Sequence, residues 1–334
     1  MTQPIVRVVD IAFVRYRTPD LDVMQQFLAD FGMRLVERTE SRLYMRGTEA
    51  SHFIYTTERA SEPGFIGPAF EVESEQDLHR LAESLVGASE VRPMDSPGGG
   101  LHVTARDPDG YQIEFVHGID PLPEIPTRDA LVLNTDRRRD RRGIFQRPDS
   151  GPAHIRRIGH LVMRTGDISR AQAYYAQFGF LVTDATCDPN EPDRTLGVFM
   201  RCDRGPDWTD HHTLGLAVRE PVAVDHTAYE CIDIDDIVLG GNHLEACGYK
   251  RSWGVGRHIL GSQVFDYWRD PFGFKVEHWT DGDLVNRDTP MTRVPVGDDG
   301  PGAISQWSAT PEDYLKIYPQ ARAIGPLSQD TDQA

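Results

Sequence analysis

The chain of 334 residues carries the same sequence pattern twice, and this repeat limits the folds that it can adopt. Residues 107–114 (DPDGYQIE) recur as residues 270–277 (DPFGFKVE), and residues 11–20 match residues 158–167 upstream of these two segments. Similarity of a chain to itself at a fixed interval indicates repeated structural units. We therefore predict two copies of one domain, arranged in tandem.

Each copy divides again into a strand, a helix and three further strands, and then repeats that order once. Aspartates before the first helix of each copy suit the N-cap position, and glycines suit the position after its end. The sequence thus predicts an α+β fold built from four tandem βαβββ modules. The predicted helices span residues 21–31, 74–85, 168–178 and 235–247, with caps at Asp20, Gly32, Asp167 and Gly179.

The composition of the chain changes between the copies and after the second copy. Residues 121–153 are rich in proline and arginine, and we interpret them as a linker in which the basic run 137–142 forms internal or intersubunit ion pairs. The N-terminal domain is then 1–120 and the C-terminal domain 154–285. In the tail, 286–334, Trp307, Tyr314 and Tyr318 predict that part of it packs back on the C-terminal domain.

Two histidines and one glutamate stand inside strand-like apolar runs of the second copy. They are His160, His226 and Glu277, separated by 66 and 51 residues, so only the fold can bring them together. A buried ionisable side chain is costly unless it is compensated, and a metal would compensate all three. Two imidazoles and one carboxylate on one face of an ion leave the other face open, which suits non-heme Fe(II).

The first copy acts as an internal control for this set. Aligned on the repeat, the position of His160 falls on Phe13 and that of His226 on Gly67, while Glu114 matches Glu277. A single carboxylate is a poor Fe(II) site. We therefore predict that the first copy has a structural role and that the chemistry belongs to the second.

The turn at residues 270–273 decides where Tyr267 points. If Gly273 is left-handed in a three-residue loop, Asp270 lies opposite Phe274, and Tyr267 then lies opposite Glu277 on the same face. A two-residue turn would place the tyrosine on the other face. The sequence leaves the choice of loop open.

Charge and hydropathy exclude several classes of partner. The net charge of −17 argues against nucleic acid or an anionic membrane as a partner. No apolar run reaches about 18 residues, the length of a membrane span, and the N-terminus lacks a signal-peptide pattern. The four cysteines show no CxxC spacing and are expected to be reduced. We therefore expect a cytoplasmic protein.

Three segments of the second copy carry a resemblance to a known family. They are residues 254–258 (GVGRH), 265–271 (FDYWRDP) and 276–278 (VEH). In order and spacing they resemble the C-terminal signature of the type I extradiol catechol dioxygenases of the vicinal-oxygen-chelate superfamily. The resemblance implies two domains, each of two modules that form a curved, partly open mixed sheet barrel. It also implies Fe(II), or occasionally Mn(II), with O2 as cosubstrate, a catechol as substrate, and a homo-oligomer.

The resemblance also implies roles for residues around the metal. His258 would hydrogen-bond the substrate hydroxylate and Tyr267 would help to bind the catecholate. One of His211 and His212 would be the acid/base; strand alternation lets only one point inward, and His212 is favoured while His211 stays open. Trp253 stands where some relatives that cleave carboxylated catechols carry arginine, which favours a neutral diol. The further candidates for pocket walls are Phe199, Trp208 and Trp307.

Other functions remain as alternatives at this level. A metal-free protein of the same fold could bind an aromatic compound without reacting with it. A glyoxalase-like isomerase usually draws ligands from two half-sites, which Phe13 and Gly67 disfavour within this chain. A keto-acid-type oxygenase shares the ligand set but lacks the histidine and tyrosine counterparts of His258 and Tyr267.

Overall fold

A computed structural model describes residues 3–296, 304–308 and 316 of the chain. The first half forms an eight-stranded mixed sheet in the order β2-β3-β4-β1-β5-β8-β7-β6. Its two helices pack on this sheet, and their apolar side chains join one core. The elements are β1 (Val8–Thr18), α1 (Leu21–Phe31), β2 (Arg34–Arg38), β3 (Arg42–Arg46), β4 (Tyr55–Arg59), β5 (Gly64–Val72), α2 (Glu75–Ser84), β6 (Arg92–Pro93), β7 (Leu101–Arg106) and β8 (Gln112–His117).

The second half repeats this order and adds strands from the tail. Its ten-stranded sheet runs β19-β10-β11-β13-β9-β14-β17-β16-β15-β20, and a small sheet pairs β12 with β18. The elements are β9 (Ile158–Thr165), α3 (Ile168–Ala176), β10 (Phe180–Cys187), β11 (Thr195–Cys202), β12 (Thr209–Asp210), β13 (Leu214–Val218), β14 (Val224–Glu230), α4 (Ile234–Ala246), β15 (Lys250–His258), β16 (Val264–Arg269), β17 (Lys275–Thr280), β18 (Leu284–Val285), β19 (Thr292–Pro295) and β20 (Ser305–Ser308).

The predicted α+β fold of four βαβββ modules is confirmed, with curved sheets that do not close into a barrel. In each module the first strand pairs in parallel with the last, as β1 does with β4 and β9 with β13. Two modules meet through an antiparallel pair, β1 with β5 and β9 with β14. Among the described residues, no helix combines the length and apolar character that crossing a membrane requires.

The helix ends follow the predicted capping residues. The side chain of Asp20 accepts hydrogen bonds from the first turn of α1, and the helix ends at Gly32 with φ 115°. Asp167 caps α3 in the same way, but α3 ends at Ala176, two residues before the predicted end. Residues 177 and 178 instead form a turn that reaches Gly179, whose φ is 79°.

The strand registers confirm the alignment of the two copies. Phe13 pairs with Ala69 in the first half as His160 pairs with Ala228 in the second. Ala69 in turn pairs with Glu114, as Ala228 pairs with Glu277. The positions of the two copies therefore correspond residue by residue at the centre of each sheet.

The segment between the halves crosses their surface without helix or strand. Leu122 N donates to Ala50 O of the first half, and Arg128 makes two hydrogen bonds of 2.7 Å with the carboxylate of Asp233 in the second. Within the basic run, Arg138 pairs with Asp140 at 3.3 Å. This ion pair of the basic run lies within the linker. The boundaries of the linker at residues 121 and 153 remain a prediction.

Two short strands of the tail return to the C-terminal sheet. β19 pairs in parallel with β10, and β20 pairs with β15 through Trp307 and Arg257. The described part of the tail therefore packs on the second half, as the aromatic residues suggested. Tyr314 and Tyr318 lie outside the described residues.

Candidate metal centre

Three neighbouring strands of the second sheet carry the predicted metal ligands. His160 lies on β9, His226 on β14 and Glu277 on β17, with β14 between the other two. Ala228 pairs with both His160 and Glu277, and His226 stands two residues before Ala228. Because residues two apart in a strand share a face, the three side chains converge on one side of the sheet.

The three side chains meet around one carboxylate oxygen. Nε2 of His160 lies 3.1 Å from Oε2 of Glu277, and Nε2 of His226 lies 3.3 Å from the same oxygen. One ligand atom from each residue lies within 4.8 Å of the other two. All three residues are buried, and Glu277 has no exposed surface.

The donor set fits a divalent ion with nitrogen and oxygen ligands. Burial alone would raise the pKa of Glu277, but the hydrogen bonds with His160 and His226 outweigh it and leave that pKa well below its usual range. Oε1 of the same carboxylate is buried and has no hydrogen-bond partner in the described structure. An ionised carboxylate with an unsatisfied oxygen, beside two imidazoles, matches the 2-His-1-carboxylate set of mononuclear iron sites. The residues present therefore fit the implied metal.

A second group with ligand geometry lies on the surface between α1 and α4. Asp30, His243 and Cys247 also offer atoms within 4.8 Å of one another, but Cys247 is exposed. Asp30 is already bonded to the hydroxyl of Tyr249 at 2.9 Å. The buried group on the sheet is the stronger candidate.

A buried charge cluster supports His226 from behind. Nδ1 of His226 lies 3.1 Å from Oδ1 of Asp225, which also accepts a 2.6 Å bond from Nζ of Lys275, while Arg164 binds Oδ2 at 2.9 Å. Burial raises the pKa of Asp225, but the charge of Lys275 and the bond with His226 leave it well below its usual value. Burial in turn lowers the pKa of Lys275 to about 8. Sequence reasoning missed this cluster, although an aspartate inside an apolar strand beside a ligand was a signal for it.

Tyr267 lies over the metal face because the turn takes the three-residue form. Gly273 has φ 89°, and the amide of Asp270 donates to the carbonyl of Phe274 at 2.9 Å. Tyr267 consequently pairs with Glu277, and its ring lies 5.1 Å from that of His226. Of the two loop types that the sequence allowed, the structure has the three-residue loop, and Tyr267 therefore lies on the same face as Glu277.

His258 joins Tyr267 on the same side of the site. Its Nε2 lies 2.9 Å from the hydroxyl of Tyr267, and its Nδ1 lies 3.1 Å from the carbonyl of Ile304. Because a carbonyl only accepts, Nδ1 carries the proton in the neutral ring and Nε2 accepts from the tyrosine. The tail segment before β20 thus orients His258.

His212 approaches the opposite side of the site. Its ring centroid lies 4.2 Å from that of His160, whereas His211 turns away and places Nε2 2.8 Å from Oδ2 of Asp184. Burial, then the nearby His160 and His211, lower the pKa of His212 well below its usual value. Of the two adjacent histidines, His212 is therefore the neutral imidazole next to the ligands.

The expected pocket walls differ in how near they lie. The ring of Phe199 is 4.7 Å from that of His212, and Trp253 is buried with its ring 5.9 Å from Tyr267 at an interplanar angle of 9°. Trp208 is 65% exposed just before β12, and Trp307 is 48% exposed on β20. Phe199 and Trp253 therefore lie next to the candidate site, while Trp208 and Trp307 lie at the surface.

His278 follows Glu277 on β17 and therefore faces away from the candidate metal ligands. It is buried, and its Nε2 lies 2.8 Å from the carbonyl of Phe31 in α1, against whose ring it stacks at 3.9 Å. It ties the second sheet to the first helix of the first half.

The fold described above is that of a known family. The family model of the Glyoxalase/Bleomycin resistance protein/Dioxygenase superfamily matches residues 10–115 and 157–278, and the chain belongs to this superfamily. Among curated relatives it is 26% identical to metapyrocatechase 2 of Cupriavidus necator over 304 residues, which cover 89% of this chain and 88% of the relative. The expected relationship to extradiol dioxygenases is thus confirmed.

Solved structures give the same fold. A Mn(II)-bound glyoxalase from Novosphingobium aromaticivorans superposes with a TM-score of 0.77 at 22% identity, covering 94% of this chain and 95% of the other. Homoprotocatechuate 2,3-dioxygenase from Brevibacterium fuscum, in an anaerobic complex with 3,4-dihydroxyphenylacetate, superposes at 0.71 with 19% identity, covering 89% and 88%. At these identities the likeness establishes the fold.

Proposed function

We propose that this protein is an extradiol ring-cleaving dioxygenase, which opens a catecholic ring with O2 at one Fe(II) ion bound by His160, His226 and Glu277. The observation that carries the proposal is the arrangement around these ligands. His212 lies against His160 on one side, and Tyr267 lies against His226 on the other. Such a site offers a proton acceptor and a diol-binding pair on opposite sides of one ion.

The bound metal would supply a common meeting point for the diol and O2 and a path for electrons between them. The remaining tasks fall to the side chains of the chain itself. His212 is neutral and buried, so it can take a proton from a catechol hydroxyl and later return it. Tyr267 and His258, joined at 2.9 Å, bind and orient the oxygen of the diol nearer to them.

The walls of the site favour an uncharged aromatic diol. Trp253 is buried in parallel with Tyr267, and Phe265 lies 4.4 Å from the tryptophan ring. Phe199 adds an apolar ring next to His212. Apolar and aromatic walls with a few convergent polar groups are typical of sites for small aromatic ligands.

The metal, the location and the assembly complete the proposal. Fe(II) is proposed over Mn(II) because O2 chemistry with two imidazoles and one carboxylate suits iron. The resemblance to extradiol dioxygenases further supports a homo-oligomer, and the four free cysteines support work in the reducing cytoplasm. Sedimentation equilibrium tests the first of these two points, and cell fractionation tests the second.

The decisive experiment is anaerobic loading with Fe(II), addition of a panel of neutral and carboxylated catechols, and then admission of air. We expect one O2 to be consumed per catechol, with a yellow ring-fission product and one metal ion per chain. Glu277→Gln is the matched control, since it keeps the volume and removes the ligand charge. Catechol binding without O2 uptake across the panel would instead favour a binding protein. Parallel loading with Mn(II) decides the choice of metal.

A further inference from the structure

Behind His212, away from the metal ligands, a row of buried polar groups continues into the sheet. Nδ1 of His212 lies 3.0 Å from Nδ1 of His211, and Nε2 of His211 lies 2.8 Å from Oδ2 of Asp184 on β10. All three residues are buried. Asp184 stands 27 residues before His211, so this contact depends on the pairing of strands rather than on local sequence.

With both rings neutral, the contacts of these atoms allow one arrangement of protons in the row. A carboxylate only accepts hydrogen bonds, so Nε2 of His211 carries the proton that faces Asp184. In a neutral His211 ring Nδ1 is then an acceptor, and the proton of the 3.0 Å bond belongs to Nδ1 of His212. His212 is thereby left with an unprotonated Nε2.

That nitrogen has the properties that a base at this site requires. Among the described residues, Nε2 of His212 has no hydrogen-bond partner, and the ring that carries it lies beside His160. With the opposite tautomer, Nε2 would carry a proton and could not accept one from a substrate. The tautomer of His212 therefore decides whether it can serve as the initial proton acceptor.

We propose that His211 and Asp184 are positioning residues that hold His212 in the tautomer and orientation required of the acid/base. The proposal rests on the proposed function, since it concerns the base of that reaction. It gives His211 a role of its own, which is to orient His212 rather than to contact the substrate. The logic is that of a triad, in which a buried carboxylate orients an imidazole through a hydrogen bond.

Contacts around the row restrict rotation of the His211 ring. The hydroxyl of Thr292 on β19 donates to the other oxygen of Asp184, and the backbone amide of His211 donates to the carbonyl of Asp283 at 2.9 Å. Gly261 lies so close that a Cβ there would come within 3.0 Å of Nδ1 of His211. The loop between β15 and β16 and the segment after β17 thus pack against the row and hold its side chains in place.

Two substitutions at His211 separate positioning from packing. His211→Phe fills the space but can neither accept from His212 nor donate to Asp184, whereas the amide of His211→Gln can do both. In the Fe(II)-loaded full-length protein, we expect His211→Phe to lower kcat by about 10²-fold, a typical share for a positioned base, with KM within about 3-fold of wild type. We expect His211→Gln to recover at least 10-fold of that loss. If His211 only packs, phenylalanine will be the better tolerated of the two, and the proposal is wrong.

A measurement independent of turnover tests the same point. Nitrogen-15 NMR of histidine-labelled protein loaded with diamagnetic Zn(II), with the His212 signal assigned from His212→Gln, reports the tautomer directly. We expect Nδ1 of His212 to be protonated in wild type and in His211→Gln, and a mixed or reversed tautomer in His211→Phe. A proton on Nε2 in the wild type would overturn the proposal.

If His211→Phe does not fold, Asp184→Leu tests the same proposal, because it removes the carboxylate that accepts the hydrogen bond from His211. We expect the same fall in kcat and the same change of the His212 tautomer; wild-type values of both would overturn the proposal. If the wild-type protein opens no catechol, the proposed function fails, while the NMR measurement still decides whether the row sets the tautomer of His212.

Discussion

The two halves of the chain bury a glutamate at the same position of the same strand and balance its charge in different ways. In the first half, Glu114 is bonded to Arg15 at 2.8 Å and lies 3.4 Å from Nδ1 of His102. In the second half, Glu277 meets the imidazoles of His160 and His226 at 3.1 and 3.3 Å. One fold therefore supports a permanent side-chain cation in one copy and the proposed metal ligands in the other.

A single exchange between neighbouring strands accounts for much of this difference. Arg15 pairs with Gly67 in the first half, and the corresponding pair in the second half is Val162 with His226. In the first half, Arg15 on β1 carries the cationic group, and its partner on β5 is a glycine. In the second half, the residue on β9 is the apolar Val162, and its partner His226 on β14 carries the imidazole. Both sheets place the carboxylate at the same position, and its neighbours differ: a guanidinium in the first half and two imidazoles in the second.

The largest expected effect distinguishes the two glutamates. We expect Glu277→Gln to lower kcat/KM by about 10⁴-fold or more, equivalent to ~5.5 kcal/mol of activation free energy, because a ligand and its charge are lost. Glu114→Gln should keep kcat/KM within about 3-fold of wild type. Steady-state O2 uptake with the same catechol measures both, and a comparable loss in the two variants would contradict the division of labour between the halves.

Metal binding gives the same pair of variants a readout without turnover. Metal at 100 times its Kd stabilises a protein that binds it only when folded by ~2.7 kcal/mol. We expect this gain in thermal denaturation for wild type and Glu114→Gln but not for Glu277→Gln. A metal-dependent gain in the last variant would show that the ion binds elsewhere.

The next effect concerns the space at the position of the second ligand. A Cβ on Gly67 would lie 1.7 Å from the backbone oxygen of Gln112, so the first half cannot accept a side chain where the second half carries His226. We expect Gly67→Ala to lower the free energy of unfolding by about 3 kcal/mol, the upper range for overpacking a tight site. Gly166→Ala is the control, because its nearest neighbour would be 3.8 Å away. Urea denaturation of both proteins is the measurement, and equal midpoints would contradict the comparison.

A smaller effect comes from the carboxylate behind His226. Asp225 binds Nδ1 of that ligand, whereas the matching residue of the first half is the apolar Ile66. We expect Asp225→Asn to weaken metal affinity by about 10- to 100-fold, as is usual for a carboxylate that orients a ligating imidazole. Asp203→Asn, which changes an aspartate paired with Arg287 elsewhere in the same half, should leave affinity unchanged. Competition with a metallochromic chelator measures both, and equal affinities would refute the role of Asp225.

The comparison also shows which features could be predicted from the sequence. The strand-like runs around His160, His226 and Glu277 predicted a shared site in the second half, and the three residues lie on one sheet. The face of Tyr267 followed only from the left-handed Gly273 of the structure, because the sequence left the loop type open. The choice between His211 and His212 was open because strand alternation states that they diverge but not which one faces inward.

Contacts across long stretches of chain could not be predicted in this way. The partner of Glu114 is Arg15, 99 residues away, and the carbonyl that orients His258 belongs to Ile304, 46 residues away. Such contacts depend on strand register and on where the tail returns, for which the sequence offers no periodic signal. The residues that tune the site are therefore harder to infer than the ligands themselves.

The smallest expected effect is the pH dependence of the compensated glutamate in the first half. Burial raises the pKa of Glu114, but the hydrogen bond with His102 and the charge of Arg15 outweigh it and leave that pKa below its usual value. A carboxyl whose folded-state pKa is depressed stabilises the protein above its unfolded-state pKa, and this contribution is lost as the pH falls through the folded-state pKa. We expect the stability difference between wild type and Glu114→Gln to be larger at pH 7 than at pH 3 by about 1 kcal/mol, the size of a partly exposed ion pair. Denaturation of the metal-free proteins at both pH values measures it, because the ligands of the second half then cannot contribute through a bound ion. A difference that is independent of pH would mean that Glu114 is protonated, and that the first half avoids the charge rather than balancing it with Arg15.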